Sequence, residues 1–332
     1  MANQKQQKEK CLALADILRQ YSDEQHFLSC DMLIRHLAEK GFSAERKSVY
    51  ADLNILRASG MDIRYQPKKG YRLASRPLDA ARLKLLCDLI CSSGGLDDDQ
   101  SRELCRMLAD QCSIYQRQTA FAIPGPIPST PSNPEFLDNV AILLEAIRQD
   151  VEIEFRYFDL TVHRQKQYRR RRRYRLLPYA LIWENQHYYC VGTSSHHSGF
   201  SHYRVDKMEQ IRPDNIPREK IPFDAGQYAA RTFGMFSSPP VNMTLRFDLS
   251  LVNTVFDRFG QDILITRIGE SWFEFNVTTS PSAPFLGWLF QFGSRAAIIA
   301  PAQLKEQMKK AAQDVLRGLE TDENHDTDGN AI

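Results

Sequence analysis

Residues 176–208 read LLPYALIWENQHYYCVGTSSHHSGFSHYRVDKM, and this stretch decides how the rest of the chain is read. Leu176–Ile182, Tyr188–Gly192 and Ser201–Val205 are rich in aromatic and β-branched residues and are separated by turn-forming clusters, a pattern that predicts three short strands. The stretch is too short to be a fold, so neighbouring strands must complete it.

One such strand precedes it. Val151–Phe158 alternates Ile153, Phe155 and Tyr157 with Glu152, Glu154 and Arg156. Between them lies Lys166-Gln167-Tyr168, then Arg169, Arg170, Arg171, Arg172, Arg173, Tyr174 and Arg175. As a strand, Tyr168–Leu177 would put Tyr168, Arg170, Arg172, Tyr174 and Leu176 on one face and Arg169, Arg171, Arg173, Arg175 and Leu177 on the other. Neither face could be wholly buried, because unpaired guanidinium groups are costly in apolar surroundings. Two readings stay open: a hydrated edge that discourages edge-to-edge pairing, or a phosphate-binding surface with rings placed to stack on bases.

Pro178, Ala180-Leu181, Tyr188-Tyr189 and Tyr203-Arg204-Val205-Asp206, in that order, resemble the signature of WYL domains, ligand-sensing modules found mostly in bacterial transcription regulators. The namesake Trp-Tyr-Leu is Tyr188-Tyr189-Cys190 here, the usual Phe before Arg204 is Tyr203, and the usual Arg after Asp206 is Lys207. The resemblance implies a small, strongly bent SH3/Sm-like β-barrel over residues 151–213. It also implies a pocket lined by the motif positions, with an anionic effector such as a nucleotide or single-stranded oligonucleotide. The candidate ligand-binding residues are Tyr188, Tyr189 and Arg204 from the motif, with Arg170, Arg172, Tyr174 and Arg175 from the arginine run. The alternative for Arg204 is a structural ion pair with Asp206.

Residues 1–76 form a domain of another kind. Lys8–Tyr21 carries Leu12, Leu14, Ala15 and Leu18 at helical spacing, and a second helix follows Ser29, a good N-cap, with Leu33 and Leu37 inward before Gly41. A third runs from Ser43 to Gly60 with Val49, Leu53 and Leu56 as its buried stripe. Its opposite face offers Arg46, Lys47, Ser48, Tyr50 and Asn54 around small Ala51, which suits phosphates and base edges in a groove. A solvated basic face is the alternative. Met61–Tyr65 and Tyr71–Leu73 alternate as a hairpin around Lys68 and Lys69, so the expectation is a winged helix-turn-helix that binds double-stranded DNA. RKSVYADLNILRASG and KKGYRL resemble the DNA-binding domain usual in WYL regulators.

Residues 77–150 read as a helical connector. Leu78–Cys91 is one helix, Asp97-Asp98-Asp99 marks the start of another that continues over Ser101–Gln118, and Phe136–Gln149 is a third. Between the last two, residues 122–135 hold five prolines and predict an extended linker. Residues 214–319 predict an α+β sandwich, with strands at Val241–Asp248, Ile263–Arg267, Trp272–Thr278 and Ala297–Ala300 and helices at Leu251–Phe259, Pro284–Phe292 and Pro301–Leu319. Their order resembles the extension that often accompanies WYL domains, which implies homodimerisation. The acidic tail, residues 320–332, is expected to be disordered.

Composition sets the outer limits. With 42% hydrophobic and 25% charged residues the chain is ordinary for a globular protein, and the net charge of +2 hides two basic regions. Residues 1–76 hold 14 Lys and Arg against 9 Asp and Glu, and residues 151–213 hold 12 against 6. Two anionic partners follow. No apolar run reaches the roughly 18 residues of a membrane span, and no signal-peptide core is found, so a cytoplasmic protein without a membrane partner is expected.

Seven cysteines without a Cys-x-x-Cys pair argue against a disulfide framework or a zinc site, and His187, His196, His197 and His202 match no zinc spacing, so no metal or cofactor is expected. No Gly-x-x-x-x-Gly-Lys, His-Glu-x-x-His or Gly-x-Ser-x-Gly occurs, so no catalytic residue is assigned. The function that fits is a ligand-responsive transcriptional regulator. An RNA- or single-strand-binding protein acting through the arginine run is the rival.

Overall fold

The computed structural model describes residues 2–122, 133–195, 197–217, 219–235 and 239–322, and the chain divides into two compact units, Met1–Pro134 and Glu135–Ile332. The division falls within the stretch expected to be one connector.

In the first unit, α1 (Ala2–Tyr21), α2 (Cys30–Glu39) and α3 (Arg46–Ala58) pack around Leu14, Ile17, Leu18, Leu33, Leu37, Val49 and Leu53, all buried. Ser29 caps α2 by accepting the Met32 N–H at 3.2 Å. The third helix starts three residues later than Ser43, because Phe42 and Ala44 pack against the core and hold the chain extended as far as Glu45. An antiparallel hairpin, β1 (Ile63–Gln66) and β2 (Gly70–Leu73), follows. Leu28 and Tyr71 exchange two backbone hydrogen bonds of 2.8 Å, so the link between α1 and α2 is bridged to the hairpin at one residue pair. Arg57 ties α3 to this hairpin by donating to the Ile63 carbonyl at 2.9 Å while lying 5.7 Å from the Tyr71 ring centre.

The same unit continues through α4 (Ala80–Cys91), α5 (Asp98–Ala109) and α6 (Ile114–Phe121). Asp97 and Gln100 form a capping box at the start of α5, which accounts for the aspartates there. A single helix over Ser101–Gln118 is not found. Ser113 and Gln116 form a second capping box that begins α6 anew. Ser113 also donates to buried Asp23 at 2.5 Å, and the Tyr115 ring stacks on His26 at 3.6 Å, so α6 is fastened to the turn after α1.

The second unit opens with α7 (Phe136–Gln149), as expected, and Asp150 at φ 56° turns it into β3 (Val151–Leu160). β4 (Lys166–Tyr168), β5 (Tyr174–Glu184), β6 (His187–Ser194), β7 (His197–Arg204) and β8 (Met208–Pro217) complete a six-stranded antiparallel sheet. Its order is β4-β3-β5-β6-β7, with β8 on the remaining side of β3. One 3₁₀ turn, Val205–Lys207, carries β7 into β8, so the sheet curls back on itself. Its inner face buries Ile153, Phe155, Leu176, Cys190, Val205 and Met208. Helix α7 closes one side, where Asn139 donates to the Met208 carbonyl at 2.8 Å.

After α8 (Ala225–Arg231) comes a four-stranded sheet of β9 (Val241–Asp248), β10 (Ile265–Ile268), β11 (Trp272–Thr279) and β12 (Ala296–Ala300), in the order β10-β11-β9-β12 and antiparallel throughout. Helices α9 (Val252–Phe259), α10 (Ala283–Phe290) and α11 (Ala302–Asp322) accompany it over a core of Leu245, Phe247, Phe273, Phe285 and Leu289. The architecture is a mixed α+β one. Most of the proline-rich linker, residues 123–132, and the tail from residue 323 onward lie outside the described residues. No described helix is long and apolar enough to cross a membrane.

Candidate functional site

Register explains where the arginine run goes. Phe158 faces Tyr168 and Phe155 faces Tyr174, so β3 has two residues between these pairs whereas the facing chain has five. The excess leaves the ladder, and Arg169–Arg173 form a bend rather than the strand expected over Tyr168–Leu177. In a strand, half of these guanidinium groups would have pointed toward buried Phe155; outside it, they remain in water.

The arginines then sort by partner. Arg169 pairs with Asp159 and lies 5.0 Å from the Tyr157 ring centre. Arg173 donates to the carbonyl and the side chain of Gln210, at 2.8 and 2.9 Å, and Arg175 donates to Glu154 at 2.7 Å. Arg170 lies 4.8 Å over the Tyr174 ring and, like Arg171 and Arg172, has no carboxylate partner among the described residues. Arg170 and Arg172 line a cleft of about 430 Å³ together with Arg173, Tyr174, Arg175 and Tyr203.

Beneath the cleft, the rings of Phe155, Tyr157, Tyr174 and Tyr203 pack with centroids 5.0 to 6.5 Å apart. Burial pushes the Tyr157 hydroxyl up to about 12 and raises that of Tyr203, so both stay neutral. The charge of the cleft therefore comes from its guanidinium groups: Arg175 is answered by Glu154, which also lines the cleft, whereas Arg170 and Arg172 have no carboxylate partner among the described residues. Such a surface suits an anion with more than one phosphate-like oxygen cluster, with tyrosine faces available for stacking.

Arg204 lies elsewhere. Along β7, Tyr203 turns into the cleft while Arg204 faces Tyr189 across the ladder on the opposite side. Arg204 donates to both carboxylate oxygens of Asp206, at 3.1 and 2.7 Å, and its guanidinium lies 3.1 Å from His187 Nδ1. The Asp206 ion pair weighed in the sequence is thus present. Tyr188 packs edge-on against Trp183 at 4.8 Å and stacks near Phe136 at 6.5 Å. Of the seven candidate ligand residues, Arg170, Arg172, Tyr174 and Arg175 meet in the cleft, Tyr189 and Arg204 meet on the other face, and Tyr188 joins neither. Tyr203, the motif residue before Arg204, also lines the cleft; alternation along β7 puts it on the face opposite Arg204.

The second surface is α3. Arg46, Lys47, Tyr50, Ala51 and Asn54 are exposed, and Ile55 joins them at 55% exposure. Ser48 is half-buried and accepts from Lys10, which also pairs with buried Asp52 at 2.9 Å. Arg46 holds Asp31 through two contacts of 2.9 Å, a fully exposed pair that water and a phosphate can open at little cost. Lys68 occupies the hairpin tip at φ 67°, and Lys69 sits 5.3 Å from the Phe27 ring centre.

Among the described residues, no three His, Cys, Asp or Glu side chains converge to hold a metal ion. His202 hydrogen-bonds to the Tyr228 hydroxyl and His187 to Arg204, while His196 lies outside the described residues.

Residues 138–213 match the WYL domain family and residues 239–316 match the WCX domain family. No curated protein matches the chain. Among solved structures, the chain is similar to proteasome accessory factor B/C (PafBC) of Arthrobacter aurescens, at 15% identity and a TM-score of 0.28, over 91% of this chain and 47% of that one. It is also similar to a CRISPR Cas-related protein, at 13% identity and a TM-score of 0.35, over 87% and 78% of the two chains. The chain spans about half the length of the PafBC chain.

Proposed function

We propose, for a chain that carries a WYL domain followed by a WCX domain, the role of a ligand-responsive transcriptional regulator that reads double-stranded DNA. The reader is residues 1–76, taken as a winged helix-turn-helix: three helices and a hairpin wing with lysines at its tip, bridged at Leu28 to the link between the first two helices. The observation that carries this reading is α3, which buries Val49, Leu53 and Leu56 while exposing Lys47, Tyr50 and Asn54 around Ala51. Cations there meet phosphates, and amide and hydroxyl groups meet base edges.

The sensor is the curled sheet of the second unit, read as an SH3/Sm-like barrel, and its effector is an anion of the nucleotide or oligonucleotide class held at Arg170 and Arg172. The C-terminal α+β layer supports a homodimer whose two recognition helices address two half-sites, and effector binding shifts that geometry. The role is that of a cytoplasmic binding protein rather than an enzyme.

Fluorescence anisotropy against salt, with DNA from upstream of the protein's own gene and a scrambled duplex, tests the reading. A steep salt slope and a sequence preference are expected, with Lys47→Glu lowering the slope and weakening all duplexes alike. The absence of any duplex preference would sink the operator reading. Single-strand or RNA binding is the second reading, favoured by the three arginines without carboxylate partners. It would be supported by single-strand affinity that ignores Lys47→Glu but collapses on Arg170→Gln with Arg172→Gln.

A further inference from the structure

The stretches matched by the two families leave a segment that neither covers, and α8 belongs to it. Against α8 lies a second pocket, of about 270 Å³, which shares no residue with the arginine cleft. One wall is aromatic: Phe200 from β7, Phe223 and Tyr228 form a triangle with ring centroids 4.7, 5.1 and 5.2 Å apart. Pro240 and Ser280, within the WCX stretch, also line the pocket.

The polar groups are placed at the two ends of α8. Asp224 caps the helix by accepting the Gln227 N–H at 2.9 Å. Arg231, its last residue, is exposed, lines the pocket and has no carboxylate partner among the described residues. The other cation nearby, Lys220, is already held by Asp150 at 2.6 Å and by the Ile147 carbonyl. Behind the wall, His202 Nε2 lies 2.8 Å from the Tyr228 hydroxyl, and burial lowers its pKa to about 4. The wall is therefore uncharged at neutral pH.

We propose that this pocket binds a small aromatic carboxylate, with its ring against Phe223 and Tyr228 and its carboxylate on Arg231. The volume suits one or two rings and lies just below the usual range of ligand pockets. A wholly apolar ligand would leave the guanidinium unused. A polyphosphate would meet a single cation and the Asp224 carboxylate. A ligand here touches the sheet that carries the WYL match and the layer that carries the WCX match at once, so its binding is a second input, chemically unlike the anion of the arginine cleft.

The test uses the full chain, ligand-observed NMR and titration calorimetry, with benzoate, 4-aminobenzoate and cyclohexanecarboxylate as probes. Benzoate and 4-aminobenzoate are expected to bind, the saturated ring more weakly. Arg231→Gln, at an exposed position, should weaken benzoate about tenfold or more. Phe223→Leu keeps apolar volume but removes a ring and should weaken it several-fold, whereas Arg170→Gln should leave it unchanged. Three results would overturn the proposal: no binding of either aromatic acid at millimolar concentration, equal affinity in Arg231→Gln, or loss of binding in Arg170→Gln. None of these outcomes bears on duplex binding, so the regulator reading stands or falls separately.

Discussion

Gly70 lies so close to Leu28 that a β-carbon on it would stand 2.3 Å from the Leu28 carbonyl oxygen, and its φ is +112°. The contact lets Tyr71, the next residue, exchange its two hydrogen bonds with Leu28. Any side chain at position 70 must push the hairpin away from the link between α1 and α2.

Gly70→Ala should therefore destabilise the first unit by roughly 2–4 kcal/mol, from backbone strain together with loss of the bridge. Hydrogen exchange at the Leu28 and Tyr71 amides checks it. Protection there should fall while β9 and β11 amides are unaffected.

Truncating Arg204 leaves Asp206, whose side chain is 8% exposed, with His187 as its one weak ion-pair neighbour among the described residues. A cost of about 3 kcal/mol follows for Arg204→Ala, at the low end for a broken buried pair because Arg204 itself is 27% exposed. Trp183, Trp272 and Trp288 all belong to the second unit, so tryptophan fluorescence in urea reads this unit alone. Effector tests on Arg204→Ala need this measurement beside them, and an unchanged midpoint would show the pair to be dispensable.

For pH, His202 is the informative group. Burial holds its pKa at about 4 in the folded chain, against an ordinary 6.5. The unfolded chain takes up a proton between these values that the folded chain refuses, so this contribution is complete above pH 6.5 and lost as pH falls toward 4. About 2 kcal/mol should disappear between pH 7.5 and 5 in the second unit. In His202→Gln the loss over that range should be smaller. An identical loss would place its origin in other groups.

Lys47→Ala should lower duplex affinity about equally for all sequences and reduce the salt slope by about one. Asn54→Ala should act differently, removing roughly 1–3 kcal/mol of preference at one base position with little change in slope. Anisotropy titrations at three salt concentrations separate the two.

In the arginine segment, Arg170→Gln with Arg172→Gln should abolish binding of a dinucleotide probe while unfolding stays within about 0.5 kcal/mol of the parent. Arg173→Gln removes two hydrogen bonds to Gln210 and should cost about 1 kcal/mol with a smaller effect on binding. Calorimetry on the two variants decides. Unchanged affinity in the double variant would remove the cleft from consideration.

Where periodicity was regular, the sequence reading was close: Phe136–Gln149 and Val241–Asp248 end where they were expected to end. β8 escaped because its alternation is broken by two register shifts, by Gln210 at φ 53° and by Pro213 and Pro217. Missing it hid Gln210, which holds Arg173. Ser113-Ile114-Tyr115-Gln116 is a capping-box sequence, so the break between α5 and α6 was readable and was overlooked. The sorting of the arginines was not readable at all. It depends on Asp159, Glu154 and Gln210, which reach the run only through strand pairing.

The surplus residues opposite β3 have a further consequence. The pairs Phe155–Tyr174, Glu154–Arg175 and Ile153–Leu176 set the phase of β5 against β3, with Arg169–Arg173 outside the ladder. Adding or deleting a residue within a strand would turn Leu176 toward solvent and bring its neighbours inward. The same change among these arginines alters only how far the guanidinium groups reach. The segment is thus an adjustable spacer, whose length and charge can be retuned while the core of the curled sheet beneath it stays in register.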